Sequence, residues 1–134
     1  MSTPFGPQLI GETAKTLTAV LRHSLEGTGL QEPQWVTLRL AGILDGAVDE
    51  DGLVAAVADR AHFQNASDLV GDVTDRGLVE DGRITAAGRE VLATVLARSD
   101  RTAGQIWVGF PVEDIEATTR VLNELLERAR AVLG

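Results

Sequence analysis

The reactive and polar side chains of this 134-residue sequence are not arranged in the patterns typical of catalytic or metal sites, and they are better suited to hydrogen bonding. The two histidines, His23 and His62, lie too far apart in the sequence to form a local pair of metal ligands. No serine lies in the Gly-x-Ser-x-Gly pattern that exposes a catalytic nucleophile. The sequence has no cysteine, which excludes disulfides, thiolate metal sites and cysteine nucleophiles. We therefore expect no enzymatic activity, no catalytic residues, no metal site and no cofactor.

Residues 75–88 predict a helix end, a very short hairpin and a new helix start. Gly77 suits the left-handed backbone that follows a helix, and Asp81-Gly82 is a two-residue hairpin turn signal. Thr85 can cap the helix that follows. This order of elements is typical of a winged helix-turn-helix, in which the hairpin is the wing. The wing here would be unusually small.

Apolar residues at spacings of three and four predict helices before and after this hairpin. Pro33 fits the first turn of the second helix, and Asn65, with Asp68 three positions on, resembles an N-cap of the fourth. The predicted helices are separated by turn signals at Gly27-Thr28-Gly29, Asp45-Gly46, His62-Phe63-Gln64, Gly77 and Gly109-Phe110-Pro111. The sequence therefore predicts a mainly α chain with a small β-hairpin wing.

The last predicted helix carries an apolar face with no obvious cover. An alternating three-four spacing relates Ile115, Thr118, Leu122, Leu125, Ala129 and Val132. Three further residues, Val121, Leu126 and Leu133, widen the face beyond a narrow seam. A chain of this size has too few other elements to cover the apolar faces at both its ends, which favours a homodimer.

Taken in order, these elements resemble the MarR family of multiple-antibiotic-resistance-type regulators, winged-helix transcription factors that act as homodimers. The resemblance covers nearly the whole chain and rests on four short motifs: Gly29-Leu30 followed by Pro33-Gln34-Trp35-Val36-Thr37-Leu38-Arg39, Gly77-Leu78-Val79, Ile84-Thr85-Ala86-Ala87-Gly88, and Gly109-Phe110-Pro111-Val112-Glu113-Asp114. It implies one domain over residues 1–134, with a DNA-binding lobe at about 30–88 and dimerisation helices at about 7–28 and 89–134. Two lobes would then read a pseudo-palindromic site on double-stranded DNA.

In a protein of this type, the fourth helix would be the recognition helix. The candidate DNA contacts on this helix and the wing are Gln64, Asn65, Ser67, Thr74, Arg76 and Arg83. Glutamine and asparagine can read adenine edges, and serine can bind bases or phosphates. Arg83 could enter a minor groove or, alternatively, pair with Asp81 or Glu80 across the tight turn.

The charges of this segment depart from the family pattern. Asp68 and Asp72 occupy positions where the family usually carries arginine or another phosphate-compatible residue. Asp68 could instead stabilise the helix N-terminus by capping and through the helix dipole. Asp72 could be solvated, pair with Arg76 four residues on, or, as a minority alternative, accept from a cytosine amino group.

The formal net charge of −8 disfavours generic attraction to nucleic acid. It would be harmless only if most acidic residues lay away from the duplex. The alternative hypothesis is a winged-helix scaffold with weakened DNA binding, which acts as a ligand-binding or protein-interaction module.

The resemblance also implies a crevice between the dimer helices and the winged lobe, where a ligand could release the protein from DNA. The candidate ligand contacts are Arg22, His23, Trp35, Arg39 and Trp107, which could bind a small acidic aromatic molecule. The alternative is that both tryptophans fill the core and that His23 is a surface or packing residue.

No stretch approaches the roughly 20 apolar residues of a membrane span, and residues 1–7 lack the basic start and apolar run of a secretion signal. We therefore expect a cytoplasmic protein that does not bind membranes.

Overall fold

The computed structural model describes residues 2–134, so Met1 of the N-terminal segment considered above lies outside the described residues. Within this range the chain forms six α-helices and one antiparallel two-stranded sheet. The elements are α1 (Pro7–Ser24), α2 (Glu32–Leu44), α3 (Glu50–Ala61), α4 (Ala66–Asp75), β1 (Val79–Glu80), β2 (Arg83–Ile84), α5 (Ala86–Ile106) and α6 (Val112–Leu133). The prediction of a mainly α chain with a small hairpin is confirmed.

The chain divides into two compact units, one ending at Asp100 and the other comprising Arg101–Gly134. The core of the first unit lies among α2, α3 and α4, whose fully buried side chains include Leu38, Leu53, Val57, Val70 and Val73. The hairpin adds Val79 and Ile84 to this core, and α5 adds Val95. Burying each such side chain contributes about 1.5–3 kcal/mol, so this core fixes the face that α4 turns to solvent.

Side-chain capping contacts lie at the starts of α2, α3 and α5. The predicted place of Pro33 in the first turn of α2 is confirmed. Asp49 caps α3, because its Oδ1 accepts from the Gly52 N–H at 2.9 Å. The predicted cap at Thr85 is also confirmed, since its Oγ1 accepts from the Gly88 N–H at 3.1 Å while its hydroxyl donates to the Gly77 carbonyl at 2.6 Å. These contacts explain why α3 and α5 begin where they do.

The predicted N-cap of α4 is wrong in its chemistry, although α4 does begin directly after Asn65. The Asn65 side chain makes no capping hydrogen bond, and its backbone has φ −101° and ψ 35°. A capping side chain reaches the next N–H groups from an extended backbone, which Asn65 does not adopt. The first turn of α4 therefore keeps backbone donors that no side-chain cap satisfies.

The turn from α4 into the hairpin matches the sequence prediction. The Gly77 N–H donates to the Thr74 carbonyl and the Leu78 N–H to the Val73 carbonyl, each at 3.0 Å, which closes α4 with a Schellman motif. Asp81 (φ 52°) and Gly82 (φ 79°) both adopt left-handed backbone, as a type I′ turn requires. The strands pair Val79 with Ile84 and Glu80 with Arg83, so the hairpin is as short as predicted.

The second unit is dominated by α6, which has no buried residue. Its exposed apolar side chains include Ile115, Val121, Leu122, Leu125, Leu126, Val132 and Leu133. The helix is strongly amphipathic in spacing, as predicted. Among the described residues, no helix combines the length and the apolar character that crossing a membrane requires.

Candidate nucleic-acid interface

Three of the predicted DNA contacts lie together at the start of α4. Gln64, Asn65 and Ser67 are all exposed, whereas Leu69 and Val70 on the other side of the helix are buried. Within residues 2–134, none of the three polar side chains forms a hydrogen bond with another residue. The exposed start of α4 therefore presents an amide pair and a hydroxyl that are free to bind a partner.

Thr74 lies in the last turns of α4 and is half-buried. Its hydroxyl donates to the Val70 carbonyl at 2.7 Å, one turn back along the same helix. The hydroxyl proton of Thr74 is thus used inside α4, which leaves only its oxygen lone pairs for a nucleic-acid contact. The structure does not bring Thr74 together with the three polar residues at the start of the helix.

Arg76 directs its guanidinium toward the loop between α1 and α2. Its Nη1 donates to the Gly29 carbonyl at 2.8 Å, and its Nε lies 3.4 Å from Asp72 Oδ1. Of the alternatives for Asp72, the pairing with Arg76 is the one that the structure shows. The other Asp72 oxygen accepts from Gln34 Nε2 at 3.0 Å. Sequence reasoning missed Gln34, because a contact across 38 positions leaves no local pattern.

Asp68 is exposed in the first turn of α4. Neither it nor Asn65 makes a capping hydrogen bond within the described chain, so the capping part of the prediction for Asp68 is wrong. Its carboxylate still lies at the positive end of the helix dipole, where a negative charge is worth about 0.3–1 kcal/mol.

The hairpin packs closely against the connection between α2 and α3. Gly82 is buried at the tip, and a Cβ added there would lie 2.5 Å from the Asp49 backbone carbonyl. On Gly46, an added Cβ would lie 2.7 Å from Nη2 and 2.8 Å from Nε of Arg83. The Arg83 guanidinium therefore rests on the Gly46 backbone. A groove of about 740 Å³ runs between the hairpin and this connection.

The predicted alternative in which Arg83 pairs with a neighbouring carboxylate is wrong. Within the described residues no carboxylate oxygen lies within 4.0 Å of its guanidinium nitrogens, although Glu80 is its direct partner in the hairpin register. The type I′ turn and the contact with Gly46 direct the side chain away from Glu80 and Asp81. Arg83 is exposed and keeps its positive charge available.

Acidic residues are concentrated in the same part of the chain. Residues 49–83, from the cap of α3 to the wing, contain nine carboxylates and three arginines, a formal net charge of −6 out of −8 for the chain. Arg76 is engaged with Asp72 and Gly29, which leaves Arg60 and Arg83 as the exposed cations of this segment without an ion pair in the described chain. The acidity therefore lies within the segment that would approach DNA.

The four candidate ligand contacts of the first unit, Arg22, His23, Trp35 and Arg39, do not form one site. Arg22 lines a groove of about 610 Å³ between the end of α1 and the start of α2. The groove is also lined by the carboxylates Glu26 and Glu32, by Gln31, and by the apolar residues Leu25, Leu30 and Pro33. Arg39 is exposed on α2 and does not line this groove.

His23 points outward, with 83% of its side chain exposed and Nδ1 3.4 Å from Glu26 Oε1. Trp35 is 7% exposed and belongs to the core, which confirms the core prediction for this residue. The same prediction is wrong for Trp107, which lies in the second unit and is 62% exposed within this chain. Among the candidate ligand contacts of the first unit, only Arg22 lines the groove between α1 and α2.

Comparisons with known protein families, with curated proteins and with solved structures find no significant match to this chain. The family resemblance therefore stays a prediction from the motifs described above.

Proposed function

We propose that the protein is a homodimeric, sequence-specific DNA-binding transcriptional regulator of the winged helix-turn-helix type, similar to the MarR family. The observation that carries the proposal is the exposed start of α4. There the side chains of Gln64, Asn65 and Ser67 are exposed, while the opposite face of the helix is buried in the core. Recognition helices of this type read base edges mainly with their N-terminal residues. The hairpin that follows α4 takes the place of the wing.

The proposed binding mode depends on base contacts and on the use of two lobes together. Few cations of residues 49–83 are available to neutralise phosphates, which normally supply much of the affinity. The apolar face of α6 supports a dimer, and two linked lobes gain affinity through their high effective concentration at a palindromic site. We therefore expect tight binding to the paired half-sites and weak binding to random DNA.

The groove beside Arg22 supports control by a small ligand. Its lining combines Arg22 and the carboxylates Glu26 and Glu32 with an apolar wall, so it can hold a small aromatic molecule but does not favour an acidic one. The groove adjoins the loop that Arg76 contacts. Binding there would release DNA if it shifted this loop against α4.

The experiment that tests the proposed function is selection from a random duplex library at low salt, using the purified protein. Recovery of an inverted repeat with half-sites about one helical turn apart is the expected result. Failure to enrich any duplex, with the protein shown to be folded and dimeric, would contradict it.

The Arg83→Ala variant is expected to weaken DNA binding without changing the dimer, because Arg83 is the exposed cation of the wing. Each phosphate contact contributes about 0.9 to the slope of log affinity against log salt, so losing one contact per wing should reduce that slope by about 2. Titration of the selected duplex at several salt concentrations measures it. Arg120→Ala on α6 is the matched control, and an unchanged slope for Arg83→Ala would remove the wing from the interface.

A second candidate function is a protein-interaction module that binds a cationic partner. It is favoured by the net charge of −6 over residues 49–83. The Asp68→Arg variant separates the two candidates, because Asp68 is exposed beside the proposed reading residues. For a DNA reader, replacing this carboxylate should tighten binding to random duplex by about tenfold. No gain in DNA affinity, measured by fluorescence anisotropy, would favour the second candidate.

A further inference from the structure

Three side chains connect the C-terminal half of α4 to α2 and to the loop before α2. Asp72 Oδ2 accepts from Gln34 on α2 at 3.0 Å, and Arg76 Nη1 donates to the Gly29 carbonyl at 2.8 Å. Arg76 Nε and Asp72 Oδ1, 3.4 Å apart, join the two contacts. We call Gln34, Asp72 and Arg76 the α4 clamp.

The clamp is fixed at its α2 end by the start of that helix. The Oε1 atom of Gln34 accepts from the Gln31 N–H at 2.8 Å as part of the capping box of α2. This contact leaves the Gln34 amide nitrogen free to donate to Asp72. The Gln34 amide is thus oriented by two partners, the Gln31 N–H and the Asp72 carboxylate. Through Gln34, the start of α2 is coupled to Asp72 on α4.

An isolated pair such as Asp72 and Arg76, four residues apart on a helix, is worth only about 0.3–0.5 kcal/mol. The two side chains are each 39% exposed. What sets them apart is that each also contacts a residue outside α4, across 38 and 47 positions of the sequence. The first turn of α4, by contrast, lacks a side-chain cap. Polar contacts therefore fix α4 at its C-terminal half and leave its start to the core alone.

We propose that Asp72 and Arg76 are positioning residues, which hold α4 at one rotation against α2 so that Gln64, Asn65 and Ser67 meet the bases in register. This inference rests on the proposed function. The clamp residues act through α4 and do not contact nucleic acid. Loss of Gln34 or Asp72 reduces discrimination between sequences and leaves the general attraction to duplex DNA in place.

The test compares Asp72→Ala with Asp75→Ala. Asp75 lies on the same helix, is exposed, and has no ion pair within the described chain, so both variants remove one negative charge. Electrostatics alone predicts tighter DNA binding for both. The clamp predicts that Asp75→Ala binds the selected duplex at least as tightly as the parent protein, whereas Asp72→Ala binds it about tenfold more weakly.

The ratio of affinities for the selected and a scrambled duplex is the decisive readout, since a loss of folded protein would lower both affinities equally. For Asp72→Ala the ratio should fall, while scrambled-duplex affinity stays the same or rises. Gln34→Ala, which changes no charge, should lower the ratio similarly, and the double variant should lose no more than either single variant. Equal tightening by Asp72→Ala and Asp75→Ala, or additive effects of Gln34→Ala and Asp72→Ala, would overturn the proposal.

Urea unfolding of the parent protein, Gln34→Ala, Asp72→Ala and the double variant keeps the two proposals distinguishable. The clamp predicts that the double variant shifts the unfolding midpoint by less than the sum of the single shifts. If the parent protein selects no duplex but this coupling is present, the clamp stands as a structural contact and both its positioning role and the proposed function fail. If the parent protein selects a duplex but the coupling is absent, the clamp fails and the proposed function stands.

Discussion

Replacing Leu122 with glutamate is expected to dissociate the proposed dimer into monomers and to lower the proposed specific DNA affinity about 100-fold or more. Leu122 lies on the apolar face of α6 and is 42% exposed in the single chain. In a two-fold symmetric dimer the substitution would occur twice at one interface. Burying an unpaired carboxylate costs several kcal/mol, which the apolar contacts of one helix cannot offset. Sedimentation equilibrium measures the association state.

Asn123→Glu is the matched control for this variant. It adds the same charge at the next position of α6, where the side chain is exposed and its amide nitrogen donates to the Thr119 carbonyl within the helix. We expect this variant to remain dimeric and to bind the selected duplex normally. A dimeric Leu122→Glu protein would show that the apolar face of α6 is not the interface, and a monomeric parent protein would contradict the dimer itself.

Gly88→Ala is expected to destabilise the fold by about 3 kcal/mol, because there is no room for a side chain at this position. A Cβ on Gly88 would lie 2.2 Å from the Leu78 carbonyl oxygen and 2.8 Å from Ile84 Cγ1. The Leu78 carbonyl also accepts from the Thr85 N–H at 3.0 Å, so it cannot move without loss of that contact. The hairpin and the start of α5 would have to separate. Urea unfolding measures the change in the free energy of unfolding.

The same substitution at Gly104 provides the control, since that residue is also on α5 and has nothing within 4 Å of an added Cβ. Inside a helix, alanine is normally favoured over glycine by up to about 1 kcal/mol, so Gly104→Ala should be neutral or stabilising. If Gly88→Ala proved as stable as the parent protein, the close contact between the hairpin and α5 would be refuted.

Features that depend on neighbouring residues could be predicted from the sequence. The type I′ turn at Asp81-Gly82, the helix end at Gly77 and the cap at Thr85 each arise from the backbone preferences of a few adjacent residues. Asn65 shows the limit of this reasoning, because a residue type suited to capping still needs an extended backbone, which the preceding turn does not provide here.

The candidate site was only partly predictable, because its decisive contacts join distant segments. The sequence identified Gln64, Asn65 and Ser67 as candidate contacts, and the buried face of α4 leaves all three exposed. It did not indicate that Asp72 contacts Gln34 or that Arg83 rests on Gly46, since neither pairing has a local pattern. Trp107 illustrates the same limit. Its large apolar side chain predicts burial, but whether it is buried depends on its neighbours in the fold, and it is exposed in this chain.

The close packing of Gly82 against the backbone of Asp49 and Glu50 affects what binding costs at this edge of the lobe. A long wing fluctuates when free and loses conformational entropy when a partner orders it. This hairpin has two residue pairs, and its tip packs closely against the start of α3. The hairpin becomes ordered when the chain folds. A partner that binds here therefore does not have to order it, and binding loses less conformational entropy than it would with a long wing.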